Sequence, residues 1–228
     1  MKVMYPASKT RFDFLFAASA LATRSSLPRK SDAECLNRLY KYIRATKDFK
    51  MKILCKEMVL KASVDASYNL HPDCKGHTGL VILIGDCPIF AKSNKQRSVA
   101  TSSMHAEVIA LFDSIPFVTW LRDLLGELGY PQENPTIIEQ DNQSAIQVYS
   151  EGVMKSSKTR HLSNKCAYIS EMIQEKVIIP KYVQTDLILA DVLTKPVTGT
   201  RFKDCFRRYV EFPSRSRKGA NITSRAEN

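Results

Sequence analysis

The chain lacks several things that would each have named a class. Its six cysteines, at positions 35, 55, 74, 87, 166 and 205, include no C-x-x-C pair. That argues against a zinc ribbon and against thioredoxin-like chemistry, and leaves them as reduced thiols, mostly in the core, of an intracellular protein. No apolar run is long enough to span a membrane. No internal repeat is visible, so a solenoid is not expected. Acidic residues are in short supply: 23 Asp and Glu face 34 Lys and Arg, for a formal net charge of +11. Such an imbalance favours an anionic partner, nucleic acid first and a membrane surface second. The remaining composition, 44% hydrophobic and 25% charged, is ordinary for a soluble globular protein. With 228 residues the chain can bury one good core with an appendage, or two small ones.

Near the N-terminus, Phe12–Ala22 imitates a secretory signal with small residues at its end. Asp13 interrupts the apolar run, however, and no disulfide framework follows, so an ordinary packed helix over residues 8–24 is expected. A second helix starts at Ser31 and carries Leu36, Leu39, Tyr40 and Ile43 on one face. From residue 53 the period shortens. Strands are expected at Met58–Asp65, Thr78–Ile84 and Pro88–Ser93, with a turn at Gly85-Asp86. A long helix follows from Ser103, capped by Ser102 or Ser103, with an apolar stripe through Leu111, Phe112, Ile115, Val118, Leu121 and Leu125. Pro116 should kink or split it. A fourth strand, Thr136–Asp141, a short helix over Asn142–Tyr149, a helix over His161–Lys176, a fifth strand over Val177–Val183 and a last short helix over Asp186–Thr194 complete the pattern. The fold class expected is α/β: a five-stranded mixed sheet flanked by helices. The expected division is a helical lead-in over residues 1–52, the sheet domain over 53–198, a basic C-terminal helix over 199–212 and a disordered basic tail over 213–228.

Four acids stand out. Asp65 and Asp141 end strands, where open α/β sheets place their sites. Glu107 sits at the edge of the apolar stripe of the long helix, half buried and without the spacing of a capping box. Asp191 lies on the last short helix. Alone, each is more simply a turn former or a solvated residue; the order of the four argues for one site. Gathered together, such carboxylates cannot all stay ionised without cations. Oxygen-only ligation selects hard ions, Mg²⁺ or Mn²⁺. Two ions about 3.5–4 Å apart would clamp the attacking and leaving oxygens of a phosphodiester.

The order strand-Asp, helix-Glu, strand-Asp, helix-Asp resembles the ribonuclease H fold family. The words around it resemble, more narrowly, the ribonuclease H domain of Ty1/copia-type retrotransposon polyproteins. They are Val64-Asp65-Ala66, Gly76-His77-Thr78-Gly79, Ser98–Ser103 with Ala106-Glu107, Trp120-Leu121 with Leu124–Gly129, Asp141–Ile146, Thr159–Leu162 and Ala190–Lys195. Met4-Tyr5, Thr10-Arg11 and Leu39–Ile43 resemble the segment that joins reverse transcriptase to ribonuclease H in those elements. The likeness runs over about residues 3–210. It implies a ribonuclease H-like fold, with Asp65, Glu107, Asp141 and Asp191 as catalytic metal ligands for two Mg²⁺ or Mn²⁺ ions. It implies hydrolysis of the RNA strand of an RNA–DNA hybrid, with a reverse transcriptase domain as partner in the parent polyprotein, in the cytoplasm, in retrotransposon particles or in the nucleus. Lys155, Lys158, Arg160, His161 and Lys165 would face the substrate, although a solvated loop and helix face account equally well for the lysines, and a helix-start role for His161. Two other functions compete: a non-catalytic nucleic-acid-binding remnant, and an integrase-like nuclease using Asp65, Asp141 and Glu175.

Overall fold

A computed structural model describes residues 2–51, 53, 55–151, 162–197, 199–207 and 210–211. Five strands form the main sheet: β2 (Leu60–Ser67), β3 (His77–Ile84), β4 (Cys87–Lys95), β5 (Thr136–Gln140) and β6 (Ile178–Tyr182). Their spatial order is β4-β3-β2-β5-β6. The first three form an antiparallel meander, and β5 and β6 run parallel to β2 and to each other. A two-residue strand β1 (Lys50–Met51) pairs separately with β7 (Val210–Glu211). This mixed sheet, with helices on both faces, is the ribonuclease H-like fold expected from the sequence.

Period-two patterning decides which side chain serves which layer. On β3, Leu80 and Ile82 enter the core beneath the long helix α4 (Ser103–Glu127), together with Leu60, Ala62 and Val64 of β2. Val81 and Leu83 point the other way, to the second core. There they meet Phe12, Phe14, Leu15 and Ala18 of the N-terminal segment and Leu189, Val192 and Leu193. β3 is therefore buried throughout, which is why it reads as a continuous apolar run rather than an alternating one. The helices α5 (Gln143–Ser150) and α6 (Ser163–Gln174) complete the first core through Tyr149, Cys166 and Ile169. On the second side stand α1 (Met4–Lys9), α2 (Leu15–Ala22), α3 (Lys30–Ala45) and α7 (Gly199–Arg207).

The structure departs from the sequence reading at five places. The helix expected over residues 8–24 is broken between α1 and α2. Arg11 leaves helical geometry to pair with buried Asp13 at 2.8 Å and to donate to the carbonyl of Thr46 at 3.0 Å. Pro116 does not split α4, which runs unbroken for 25 residues. The proline faces solvent, so the carbonyl it leaves unpaired can be hydrated. The last short helix is two 3-10 turns, Thr185–Leu187 and Leu189–Leu193, separated by Ile188, extended and fully buried. Glu107 is buried, not half buried, because α4 is buried on every face from His105 to Leu111. Of the cysteines, only Cys87 and Cys166 are buried; Cys35, Cys55 and Cys74 are exposed, and none of the six forms a disulfide. No described helix is long and apolar enough to cross a membrane.

Candidate metal centre

The site forms where β2 and β5 end side by side. Their parallel register pairs Ser63 with Glu139. Two residues on, it brings Asp65 of β2 level with Asp141, which directly follows β5. Glu107 enters from the second turn of α4, the helix whose start is fixed by the Ser102 hydroxyl accepting from the backbone N–H of His105 at 3.1 Å. One oxygen from each of Asp65, Glu107 and Asp141 lies within 4.8 Å of the others. Three elements distant in sequence thus bring three carboxylates to one point.

Each buried acid is held by donors. Glu107 accepts from the backbone N–H of Ala66 and from the side-chain amide of Gln140, both at 3.2 Å. Gln140 is itself oriented by the Tyr149 hydroxyl, which donates to its oxygen. Asp65 accepts from the hydroxyl of Thr194. Gln140, Tyr149 and Thr194 were not singled out from the sequence. A signal existed for Gln140: it shares the inward register of β5 with Thr136 and Ile138, where a long polar side chain is out of place unless it serves a neighbour.

The second layer of the site is a grip of β2 on the 3-10 turn Leu189–Leu193. Ser63, Asp65 and Ser67 share one face of the strand. The Ser63 hydroxyl accepts from the N–H of Ala190 at 3.2 Å, and the Ser67 hydroxyl donates to the carbonyl of Thr194 at 2.7 Å. The turn can lie this close because its neighbour on β3, opposite Asp65, is Gly79. A Cβ there would stand 2.7 Å from the carbonyl oxygen of Ala190 and from Cγ2 of Thr194. A chain of polar groups reaches the same turn from the far edge. His71 and His77 are joined at 3.0 Å, and His77 and the Ser93 hydroxyl at 2.7 Å. That hydroxyl donates to the carbonyl of Leu193 at 2.7 Å. Since it gives its proton away there, it accepts from Nε2–H of His77, and His77 Nδ1 accepts from His71.

Electrostatics follow from the crowding. Burial, then the charges of Asp65 and Asp141, hold the Glu107 carboxyl well above its ordinary range. Burial first, and the neighbouring Asp141 and Asp191 after it, push Asp65 up to about 6 against the pull of the Thr194 hydroxyl. A cluster that resists full ionisation when empty is one that gains from a divalent cation.

The other expected site residues fare differently. Asp191 is buried on the 3-10 turn, near enough to raise Asp65, yet outside the three-carboxylate cluster. Its oxygens are engaged by ion pairs with Lys195 and Arg201. Lys165 is half buried, its ammonium 3.8 Å from the centre of the Phe112 ring. Lys155, Lys158, Arg160 and His161 lie outside the described residues. Glu175 is exposed at the end of α6, three residues before β6 begins, so it stands at the opposite edge of the sheet from Asp65 and Asp141. The integrase-like set is not brought together.

The chain is 29% identical over 203 residues to the Retrovirus-related Pol polyprotein from transposon RE2 of Arabidopsis thaliana, covering 87% of this chain and 14% of that polyprotein. Its homologues are Ty1/copia-type Pol polyproteins. A second, the Transposon Ty1-JR1 Gag-Pol polyprotein of Saccharomyces cerevisiae, is 27% identical over 213 residues, 90% of this chain and 12% of the relative. The chain thus spans about one seventh of the length of these polyproteins or less. No family model matches it. Among solved structures it is similar to LC11-RNase H1, isolated from compost, at 15% identity and a TM-score of 0.46, over 60% of this chain and 93% of that one. It is also similar to Prototype Foamy Virus Protease-Reverse Transcriptase, at 14% identity and a TM-score of 0.41, over 65% of this chain and 22% of that one.

Proposed function

We propose that this chain is a metal-dependent ribonuclease H that hydrolyses the RNA strand of RNA–DNA hybrids, as one part of a retrotransposon Pol polyprotein. The observation that carries the reading is the meeting of Asp65, Glu107 and Asp141 within 4.8 Å at the C-terminal edge of the sheet. An all-carboxylate donor set suits Mg²⁺ or Mn²⁺ and disfavours softer metals. When bound, such an ion supplies a Lewis acid beside the scissile phosphate.

The chain's own residues do the rest. Asp65 and Asp141 present oxygens from two parallel strand ends, and Glu107 closes the third side from α4. Gln140 and Tyr149 fix the Glu107 carboxylate, so the donor set is formed before the ion arrives. Hydrolysis adds water oxygen to phosphorus and breaks the bond to the 3′-oxygen, leaving a 5′-phosphate and a 3′-hydroxyl. RNA is distinguished from DNA through its 2′-hydroxyls across a wide minor groove. Lys155, Lys158, Arg160 and Lys165, with His161, are assigned to the hybrid backbone, a role that makes binding salt-dependent. The partner is the reverse transcriptase portion of the same polyprotein, and the setting is intracellular, where hybrids arise during reverse transcription.

The test is cleavage of a labelled hybrid by the native chain and by Asp141→Asn, with Mg²⁺ or Mn²⁺ and with chelator. Metal-dependent loss of the RNA strand with the native chain alone is expected. Equal results for both proteins would leave a non-catalytic nucleic-acid-binding remnant of such a polyprotein.

A further inference from the structure

The lead-in segment is charged out of proportion to its length. Residues 2–51 carry eleven Lys and Arg against four Asp and Glu, which is +7 of the +11 on the whole chain. The helices on the other side of the sheet, α4, α5 and α6, carry five acids and two cations. Two of the four lead-in acids are paired within the segment, Asp13 with Arg11 at 2.8 Å and Asp32 with Arg24 at 2.9 Å. The surplus gathers on α3. Leu39 of that helix is buried in the second core, with Tyr42 and Ile43 packed against it. Lys30, Arg38, Lys41 and Arg44 are exposed and stand within about a third of the helix circumference, on the outward side. Glu34 is the one acid of α3 among them. None of the four cations has an ion-pair partner among the described residues.

We propose that the outward face of α3 binds the phosphate backbone of a nucleic-acid duplex, at a place separate from the metal centre. The helix packs over the sheet face opposite α4. Its cations are therefore distinct from the set assigned above to the hybrid, of which Lys165 stands on α6, on the α4 side. The proposal goes beyond hydrolysis and does not need it. Charge complementarity carries it: four unpaired cations stand against one acid on a continuous surface. From Lys30 to Arg44 the helix rises about 21 Å, the length of about six base pairs. The chemistry of the face selects among anionic partners. A membrane surface would need large apolar side chains beside the cations. A single strand would need several aromatic rings for its bases to stack on. The outward positions between the cations hold Glu34, Asn37 and Ala45 instead, and one ring, Tyr40, borders them. Lysine and arginine on a helix that meets phosphates hold a duplex without reading its sequence.

The test is fluorescence anisotropy of a labelled DNA duplex of about 20 base pairs, titrated with the full chain in chelator between about 50 and 200 mM salt. DNA and chelator keep the metal centre out of the measurement, so the result is independent of hybrid cleavage. The double variant Lys41→Gln/Arg44→Gln is compared with Lys176→Gln/Lys181→Gln. The second removes the same charge from the end of α6 and from the edge strand β6. All four side chains are exposed, so both variants keep the fold. The α3 variant should lower the salt slope by about two and weaken binding about tenfold or more at the lower salt. The control should change the affinity by less than about twofold, since it removes no phosphate contact. Equal losses from the two variants would mean that the duplex senses net charge alone, and would overturn the proposal. So would an unchanged slope in the α3 variant, a loss seen only with vesicles of anionic lipid, or no binding by the native chain.

Discussion

Thr194 gives its hydroxyl proton to Oδ2 of Asp65 from 129 residues away in sequence, and the same hydroxyl lies 3.0 Å from the carbonyl oxygen of Asp191. One threonine therefore ties the central strand to the 3-10 turn that carries the fourth acid. Thr194→Val keeps the shape and removes the donor. Asp65 is then left buried with less support, and we expect a loss of about 1–3 kcal/mol in urea unfolding. Thr194→Ser should recover most of it. A valine variant as stable as the native chain would show that the contact is incidental.

Gly79 is required by proximity. In Gly79→Ala the new methyl group would press on the Ala190 carbonyl and on Thr194. Overpacking against backbone costs about 1–3 kcal/mol, and here it also lifts the turn bearing Asp191. Equilibrium unfolding should report the loss, and methyl NMR of Thr194 the displacement.

The ion-free protein should weaken as pH rises. The folded Asp65 carboxyl sits at about 6, above its ordinary 3.8, chiefly through burial. A raised acid contributes its stability fully below the unfolded value and loses it as pH climbs through the folded one. The loss amounts to about 2.5 kcal/mol between pH 4 and 8, and Glu107 adds to it in the same direction. Urea unfolding in chelator at pH 5 and pH 8 should show the slope, and millimolar Mg²⁺ should flatten it. Asp65→Asn should reduce the slope.

His77 has the opposite sign. Burial, and then the charge of His71, lower it to about 3. A depressed histidine contributes stability that is complete above about 6.5 and is lost as pH falls toward 3. Imidazole nitrogen NMR should find His77 neutral at pH 5 with its proton on Nε2. A midpoint near 6.5 would mean that the chain of groups to Leu193 is not formed.

Pro116 should be replaceable. It occupies an exposed position in the middle of α4, where alanine is favoured by up to about 3 kcal/mol. Pro116→Ala should raise the unfolding midpoint and leave Mn²⁺ uptake unchanged.

The sheet was legible because its signals are local. β3 is a long apolar run, Gly85 turns the chain into β4 with a positive φ of 58°, and Ser102 caps α4. Asp65, Glu107 and Asp141 could be grouped because each sits within a turn or two residues of an element end that the fold stacks on one edge. Asp191's role was harder. Its surroundings depend on Lys195 and Arg201, and on a 3-10 turn set by the burial of Ile188 rather than by helical periodicity. The donors Gln140 and Thr194 act across the fold, and such pairings leave no local pattern. The serines of β2 did leave one: alternation of Ser63, Asp65 and Ser67 on a buried strand marks a polar face with something to hold.

The most direct measurement of the central claim is anomalous scattering from a crystal of the chain soaked in Mn²⁺. We expect a peak between the carboxylates of Asp65, Glu107 and Asp141, within about 2–2.5 Å of each. Manganese found only elsewhere, or none with the three side chains in place, would contradict it.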